Sequence, residues 1–570
     1  MVLMSPTHSL SMVKSKIVLL FLAFLHSVNL FSQGVAPSRF LVRFTDKNGT
    51  PFTTTNPASF LSQRAISRRL AQNISVNYSD LPPVPFYIDS LVAKGAQVLN
   101  VSRWLNAASI FTTDSSVITA IQNLPFVSGI TPVRMPLPGN QGNKFDIYES
   151  GVGSRKVFHQ VDSFPRSLSY GASYGQISML NLESIHAQGY LGQGVLIAVL
   201  DAGFFNADIL PAFDSLFANG QILATRDFVD GGINVFDDHT HGMNVLSVLG
   251  GNIPGGLIGS APAASYLLLR SEDAATEFLI EEFNWVVAAE YADSSGADII
   301  SSSLGYTTFD NASMDHAYPD LDGNTALGSL GAAYAARRGI LVVNSAGNWG
   351  GSAWNYIGVP ADADSIIATG AVDSLEILAG FSSRGPSADG RIKPDVSAQG
   401  VDVVMSASSG QIMTGNGTSF SCPLVAGAAA CLWQANPNLS AMQLRQAIIQ
   451  SCDQFSTPDN NKGYGVPDFS QALFLLNGKK FTNPGKDLIT ACYPNPTFSD
   501  IHLSLFSSQN QNIRILLCDL SGRCIEEINV EAGDKNYHHF RVQMNDLSSG
   551  LYLLRIGFRD SEQILKIVRQ

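Results

Sequence analysis

Five uninterrupted apolar segments between residues 194 and 372 constrain the fold of this chain more than any other feature. They lack the alternation of apolar and polar residues that marks a strand exposed on one face, so both faces of each strand are expected to be buried. Because they alternate with helical patterns, they predict a parallel sheet flanked by helices, an α/β domain. The segments read GVLIAVLD, ASYLLLRS, ADIISSSLG, GILVVNSAGN and IIATGAV.

Polar residues follow three of these segments at their carboxyl ends. Asp201 ends the first, Ser301–Ser303 end the third and Ser345–Asn348 end the fourth. Carboxyl ends of parallel strands meet at one edge of the sheet, where ligand and catalytic sites form. A carboxylate that closes a buried strand is costly unless it has a partner. The pattern therefore predicts a functional site at this edge.

The rest of the chain divides into further units. Lys14 and Lys16 precede an apolar run that is too short for a membrane span, which indicates a cleaved secretory signal peptide. A small α+β module precedes the sheet domain, and short alternating strands after it indicate a small β-sandwich. The predicted order is signal peptide 1–33, first module 34–138, linker 139–170, parallel-sheet domain 171–476, linker 477–489 and β-sandwich 490–570.

Composition excludes several classes of function. The net charge is −12 and no basic stripe is present, which argues against nucleic-acid binding. No later segment is long and apolar enough to predict a transmembrane helix in the mature chain. Six cysteines are too few for a disulfide scaffold of this size, although Cys518 and Cys524 could pair across a hairpin.

The stretch GNGTSFSCPLVAGAAACLWQ, residues 415–434, predicts a buried helix that opens with a polar cluster. The N–H groups at a helix N-terminus are unpaired and carry a partial positive charge, so Ser419 could offer its hydroxyl outward and its own N–H to an oxyanion. Pro423 is assigned to the first turn, where a proline costs no hydrogen bond. The alternative is that Thr418 or Ser419 only caps a buried helix.

A nucleophilic serine needs a base, and the base needs an orienting carboxylate. The segment DDHTHGMNVLSVLGG offers His239 and His241, and we favour His241 because the glycine after it permits close approach. Asp201 is the favoured carboxylate, ahead of Asp208 and Asp214, because it ends an apolar strand. A side-chain amide aimed at an oxyanion contributes about 10²- to 10³-fold in rate, so Asn348 is a candidate donor, although such Asn-Gly neighbourhoods are also ordinary turns.

Taken together, these motifs resemble the subtilisin-like serine peptidases, or subtilases, over residues 170 to 475. The likeness is carried by the order Asp201, His241, Asn348, Ser419 within IAVLDAG, HGMNVLS, SAGN and GTSFSCP, and by SSSLG. The resemblance implies an active endopeptidase that forms an acyl-enzyme on Ser419, with His241 as base, Asp201 orienting it and Asn348 in the oxyanion hole. The competing hypothesis is an adhesin or scaffold built on an inactive protease fold.

The resemblance also implies how substrate binds. Ser303, Leu304 and Gly305 are similar to the strand that pairs with an extended polypeptide in this family. The sequence departs from the family pattern at Met243-Asn244 and at Trp349, and Trp349 affects the expected subsite preference. No cofactor and no metal ligand is assigned; structural calcium is common in the family, but no ligand set can be mapped here.

The flanking units carry resemblances of their own. The first module resembles the inhibitory prodomain of these proteases, an intramolecular inhibitor clipped between about residues 135 and 170; a permanent binding domain is the alternative. The C-terminal YPNP, LSGR and SSGLY motifs resemble the type IX secretion sorting domain of Bacteroidota, with a carbohydrate-binding sandwich as the alternative. The implied partners are polypeptide substrates and the secretion machinery, and the implied location is the medium or the outer-membrane surface.

Overall fold

The computed structural model describes residues 38–135, 144–145, 168–477, 488–493, 497, 500–507, 509, 511–532, 536–544 and 546–569. The predicted signal peptide, most of both predicted linkers and the prolines of the YPNP motif lie outside these residues. Three folded units follow one another along the described chain.

The first unit is a four-stranded antiparallel sheet in the order β2-β3-β1-β4, with helices α2 and α3 packed against it. Its α+β character confirms the prediction. The apolar run over residues 96–113 forms two strands, because Asn106 adopts a left-handed φ of +49° and turns the chain. The elements are β1 Arg39–Phe44, α1 Gln63–Ala71, α2 Pro85–Ala93, β2 Gln97–Ser102, β3 Ala107–Phe111, α3 Ser115–Gln122 and β4 Val127–Arg134.

The second unit is built on a seven-stranded sheet in the order β13-β12-β11-β10-β5-β9-β6, and all its strand pairs are parallel. This confirms the predicted fold class. The strands are β5 Leu196–Asp201, β6 Ile222–Asp227, β9 Ser265–Arg270, β10 Ile299–Ser302, β11 Leu341–Ser345, β12 Ile367–Val372 and β13 Val396–Gln399. Two small hairpins accompany the sheet, β7 Asn252–Ile253 with β8 Leu257–Ile258, and β14 Val403–Ser406 with β15 Ile412–Gly415.

Helices cover both faces of this sheet, which explains why its central strands are apolar throughout. Ile197 and Val199 of β5 join one core with α7 and α10, whereas Leu196, Ala198 and Leu200 join the opposite core with α8 and α9. The helices are α4 Tyr174–Ser178, α5 Leu182–Ala187, α6 Asp214–Ala218, α7 His241–Gly250, α8 Ile280–Ser295, α9 Leu327–Arg337, α10 Thr418–Ala435, α11 Ala441–Gln450 and α12 Phe469–Asn477.

The third unit consists of two antiparallel sheets in the orders β16-β17-β20 and β19-β18-β21-β22, which share one apolar core. This is the predicted β-sandwich. Cys518 and Cys524 lie opposite each other in the β18–β19 hairpin, and both are free thiols. The strands are β16 Leu488–Tyr493, β17 Ile501–Ser507, β18 Gln511–Asp519, β19 Cys524–Ala532, β20 Asn536–Val542, β21 Gly550–Gly557 and β22 Glu562–Arg569.

The first unit docks on α8 of the sheet domain through buried charges. Glu290 accepts hydrogen bonds from the backbone N–H groups of Arg103 and Trp104 at 2.8 and 3.0 Å. Asp293 lies one turn further on and pairs with Arg68, with Arg69 at 2.7 Å and with Arg103 at 2.5 Å. Burial raises the pKa of Asp293, but the surrounding guanidinium groups outweigh it and hold that pKa below its usual value.

We expect Asp293→Asn to weaken this docking, because it leaves three buried guanidinium groups without their shared carboxylate. Breaking a buried pair costs about 3–5 kcal/mol, equivalent to a change of 10²-fold or more in an opening equilibrium. Hydrogen exchange of the α1 amides in the full-length chain should accelerate correspondingly. The exposed Asp364→Asn is the control, and equal α1 exchange in both variants would contradict a docking role for Asp293.

Candidate active site

Asp201 is the last residue of β5, at the carboxyl edge of the sheet, and it is fully buried. Its Oδ1 accepts hydrogen bonds from the Ala202 N–H at 2.8 Å and from His241 Nδ1 at 2.7 Å. One oxygen of the buried carboxylate is therefore hydrogen-bonded twice, whereas Oδ2 is buried without a partner among the described residues. Asp201 lies near the point between β5 and β10 where the strand order reverses. The strands β6 and β9 lie on one side of β5, and β10 to β13 lie on the other side.

His241 begins α7 and reaches Asp201 because the helix end lies directly against the end of β5. A Cβ at Gly242 would lie 2.3 Å from the Gly203 carbonyl oxygen and 2.8 Å from the Asp201 Cβ, so only glycine allows this approach. With Nδ1–H donated to the carboxylate, Nε2 is left with its lone pair, the form that accepts a proton. His239 lies beside it, and its Nδ1 accepts a hydrogen bond from the His241 N–H at 3.1 Å.

Ser419 is the second residue of α10, where helix N–H groups lack intrahelical partners. Within the described residues its own N–H makes no hydrogen bond. Pro423 is not in the first turn as predicted but in the second, so the Ser419 carbonyl loses its usual helical donor. The Ser303 hydroxyl replaces that donor at 2.8 Å and ties the helix start to the end of β10.

The Ser419 hydroxyl donates to the Ser303 carbonyl at 3.4 Å and makes no hydrogen bond to His241 in this structure. Both side chains line the same cavity of about 390 Å³. Catalytic hydrogen bonds are often long or misaligned without substrate and shorten in the reacting complex. The neighbouring Ser421 points away from the cavity and donates to the Thr418 carbonyl at 3.0 Å.

Asn348 follows β11 and lies beside the start of α10. Its Oδ1 accepts hydrogen bonds from the N–H and the hydroxyl of Thr418, both at 2.9 Å. This fixes the orientation of the amide and leaves Nδ2 without a partner among the described residues. Nδ2 and the Ser419 N–H are thus two unpaired donors beside one hydroxyl, which is the arrangement that can hold an oxyanion.

Leu304 and Gly305 continue from β10 along the floor of the cavity. The Leu304 carbonyl accepts from Asn344 Nδ2 at 3.0 Å, whereas the Gly305 backbone N–H and C=O make no hydrogen bond within the described part of the chain. Trp349 lies across this floor. Its indole is so close to three glycines that a Cβ on any of them would lie within 3.1 Å of the ring: Gly305, Gly347 and Gly358.

Sequence reasoning missed two residues of the linker that enter the cavity. The Phe145 ring stacks on His241 with centroids 4.3 Å apart, and on His239 at 4.9 Å. Lys144 extends its ammonium group into three glutamates of the sheet domain, Glu272, Glu277 and Glu281. A signal was available, since acidic residues crowd the segment SEDAATEFLIEE directly after β9, at the same sheet edge as Asp201.

Comparison with known proteins decides the family. The subtilase family model matches residues 192–465. Subtilisin E of Bacillus subtilis (strain 168) is 31% identical over 364 residues, which cover 63% of this chain and 79% of that protein. The chain belongs to the subtilase family. It is thus a serine protease, and subtilisin DY of Bacillus licheniformis is 34% identical over 48% of this chain and 89% of that protein.

The flanking units of this subtilase match families as well. The propeptide domain of Bacteroidota S8 peptidases matches residues 39–144, and the secretion system C-terminal sorting domain matches residues 491–570. The sorting domain identifies an exported protein, secreted or held at the cell surface. No helix among the described residues is long and apolar enough to cross a membrane.

Proposed function

We propose that this subtilase is a secreted endopeptidase in which Ser419 is the nucleophile, His241 the base and Asp201 the residue that orients the base. The observation that carries the proposal is the buried 2.7 Å contact from His241 Nδ1 to Asp201, made at the wall of the cavity that also holds Ser419. The position of Asp201 at the sheet edge and the burial of both side chains support this assignment.

The proposed reaction begins when Ser419 Oγ attacks the carbonyl carbon of the scissile peptide bond and its proton passes to His241 Nε2. The resulting imidazolium is stabilised by Asp201, and the oxyanion accepts hydrogen bonds from Asn348 Nδ2 and the Ser419 N–H. His241 then gives its proton to the leaving amine, the C–N bond breaks and an ester to Ser419 forms. Water, deprotonated by His241, hydrolyses the ester and restores the hydroxyl.

Backbone groups are proposed to bind the polypeptide in extended form. The Gly305 N–H and C=O make no hydrogen bond to any residue that the structure describes. With Ser303 and Leu304 beside them, they can pair with the substrate as a neighbouring strand. No step requires a group beyond these side chains, the backbone and water, so we propose that catalysis uses no cofactor.

The first unit is proposed to inhibit the enzyme within its own chain. Phe145 covers the imidazole that must accept the serine proton, and the Asp293 cluster holds the unit on α8. Cleavage after Phe145, within the predicted linker 139–170, would separate this unit together with Lys144 and Phe145 from the catalytic domain. The C-terminal sandwich is proposed to engage the secretion machinery, in keeping with the sorting domain that it matches.

The proposed function is tested by labelling the processed, secreted protein with a fluorophosphonate and by assaying casein hydrolysis. We expect one phosphonate per molecule, mapped to Ser419 by mass spectrometry of the digest, and parallel loss of casein cleavage. A folded and processed protein that is neither labelled nor active would overturn the assignment.

We expect Asn348→Ala to lower kcat by about 10²- to 10³-fold and to change KM little, because the amide would bond the oxyanion more strongly than the ground-state carbonyl. Steady-state kinetics with a peptide anilide measure both constants. The exposed Asn324→Ala is the control. A change confined to KM would assign Asn348 to substrate binding instead.

A further inference from the structure

Three glutamates of the catalytic domain form a compact acidic pocket, here called the glutamate pocket, made of Glu272, Glu277 and Glu281. One carboxylate oxygen of each glutamate lies within 4.8 Å of one oxygen of each of the other two, and Glu272 and Glu281 are buried. The Tyr306 hydroxyl donates to Glu272 Oε2 at 2.7 Å and fixes one wall. Glu272 and Glu277 also line the cavity that holds His241 and Ser419.

The glutamate pocket holds a cation supplied by the propeptide. Lys144 Nζ lies 3.1 Å from Glu277 and 2.8 Å from Glu281, pairs with Glu272 and donates to the Thr276 carbonyl at 2.9 Å. Its backbone N–H donates to the Ala274 carbonyl at 3.2 Å. The lysine is thus held by both its main chain and its ammonium group, as a residue of an extended peptide would be.

The position of Phe145 relates this pocket to the chemistry. Phe145 follows Lys144 directly and stacks on the imidazole of His241. The two-residue segment therefore runs from the glutamate pocket onto the proposed base. Any polypeptide that follows the same course through the cavity places a side chain in the pocket one residue before the one that covers His241.

Loss of Lys144 would leave the pocket in need of another positive charge. Burial raises the pKa of Glu277 to about 7 and also raises the pKa of Glu281 well above its usual value, even with the ammonium group in place. Once the propeptide has gone, the glutamates must bind protons or pair with a new cation. A lysine side chain of the substrate supplies such a cation, because it carries an ammonium group at the end of a long apolar stem.

We propose that the glutamate pocket selects a lysine side chain in the polypeptide substrates of the mature enzyme, bound where Lys144 lies in the proenzyme. This inference rests on the proposed function, because it requires the propeptide to leave and a peptide to take its course. The backbone contacts of the cavity bind a substrate with little dependence on its sequence. The glutamate pocket would add a preference for a basic side chain.

The test compares two internally quenched peptides with the sequence of residues 141–150, QGNKFDIYES, one of them carrying norleucine in place of the lysine. Norleucine keeps the apolar stem and removes the charge. Since hydrogen bonds to charged groups contribute about 1.5–3 kcal/mol, kcat/KM of the processed enzyme should be roughly 10- to 100-fold higher for the lysine peptide. Equal values for the two peptides would overturn the inference while leaving the peptidase proposal intact.

Variants then locate the preference. In Glu281→Gln and Glu277→Gln the lysine-to-norleucine ratio should fall towards one, whereas Glu376→Gln, which does not line the cavity, should keep it. A preference that survives both substitutions would place its source outside the pocket and refute the assignment. Should a pocket variant fail to fold, the two peptides on the unmodified enzyme still decide.

A further experiment adds calcium to the assay, because three carboxylates could also bind that ion. If added Ca²⁺ abolishes the lysine preference and a chelator restores it, the pocket is a metal site in the mature enzyme and the lysine assignment is wrong. A ratio that is the same with calcium and with chelator supports it. Failure of both peptides together with failure of phosphonate labelling would instead refute the proposed function.

Discussion

Replacing Ser419 with alanine should reduce peptide hydrolysis by roughly 10⁶-fold, the loss expected when the nucleophile of a catalytic triad is removed. The substitution deletes one buried hydroxyl and leaves the contact between His241 and Asp201 in place. The 3.4 Å hydrogen bond to the Ser303 carbonyl is weak, so the fold should change little. Progress curves with a peptide anilide, together with thermal unfolding, measure both expectations.

Ser421→Ala is the matched control, since it removes a hydroxyl from the same helix turn outside the cavity. Among the described residues its hydroxyl bonds only to the Thr418 carbonyl, so we expect about 1 kcal/mol lower stability with activity largely retained. If the Ser421 variant were inactive and the Ser419 variant active, the nucleophile would be misassigned. The Ser419 variant should also accumulate with its propeptide uncut if processing is autocatalytic.

Asp201→Asn should lower kcat by about 10⁴-fold with little change in KM. The carboxylate accepts the Nδ1–H of His241 at 2.7 Å, and this keeps the lone pair on Nε2. An amide can donate to Nδ1, which moves the imidazole proton to Nε2 and removes the base. Asparagine has nearly the same shape as aspartate, so the packing around His241 is retained. The loss of kcat therefore reports the change of tautomer alone. Kinetics over a pH series, with circular dichroism as a check of folding, measure it.

Asp208→Asn is the control for this prediction, because Asp208 lies soon after Asp201 in the chain but is exposed. We expect wild-type kinetics from it. A loss of less than tenfold in Asp201→Asn would mean that the imidazole is oriented by another group, and the triad assignment would then need revision.

Much of the sheet domain could be predicted from the sequence, because a strand that is buried on both faces is apolar along its whole length. The five apolar segments are all strands, and they occupy the middle of the sheet in the positions β12, β11, β10, β5 and β9. The edge strands β6 and β13 were not predicted. β6 reads ILATRD with charged residues at its end, and β13 reads VSAQ, in which polar residues alternate with apolar ones, so neither is a continuous apolar segment.

Other features depended on partners distant in sequence. Pro423 was assigned to the wrong turn of its helix, because the hydroxyl that compensates for its missing N–H belongs to Ser303, 116 residues before Ser419. Arg68 and Arg69 of the first unit are buried against Asp293, which lies 225 and 224 residues further along the chain. The local sequence pattern does not indicate which acidic residue will pair with a given arginine.

The sequence by itself determined the candidate chemical groups, since a glycine after His241, an aspartate closing a buried strand and a serine opening a buried helix each carry a local physical demand. The tertiary structure alone decided what surrounds them: the propeptide that seats Lys144 among three glutamates and places Phe145 on His241. The reason is that a strand or helix signal arises from neighbours a few residues apart, whereas a buried ion pair is fixed only when long-range packing brings its charges together.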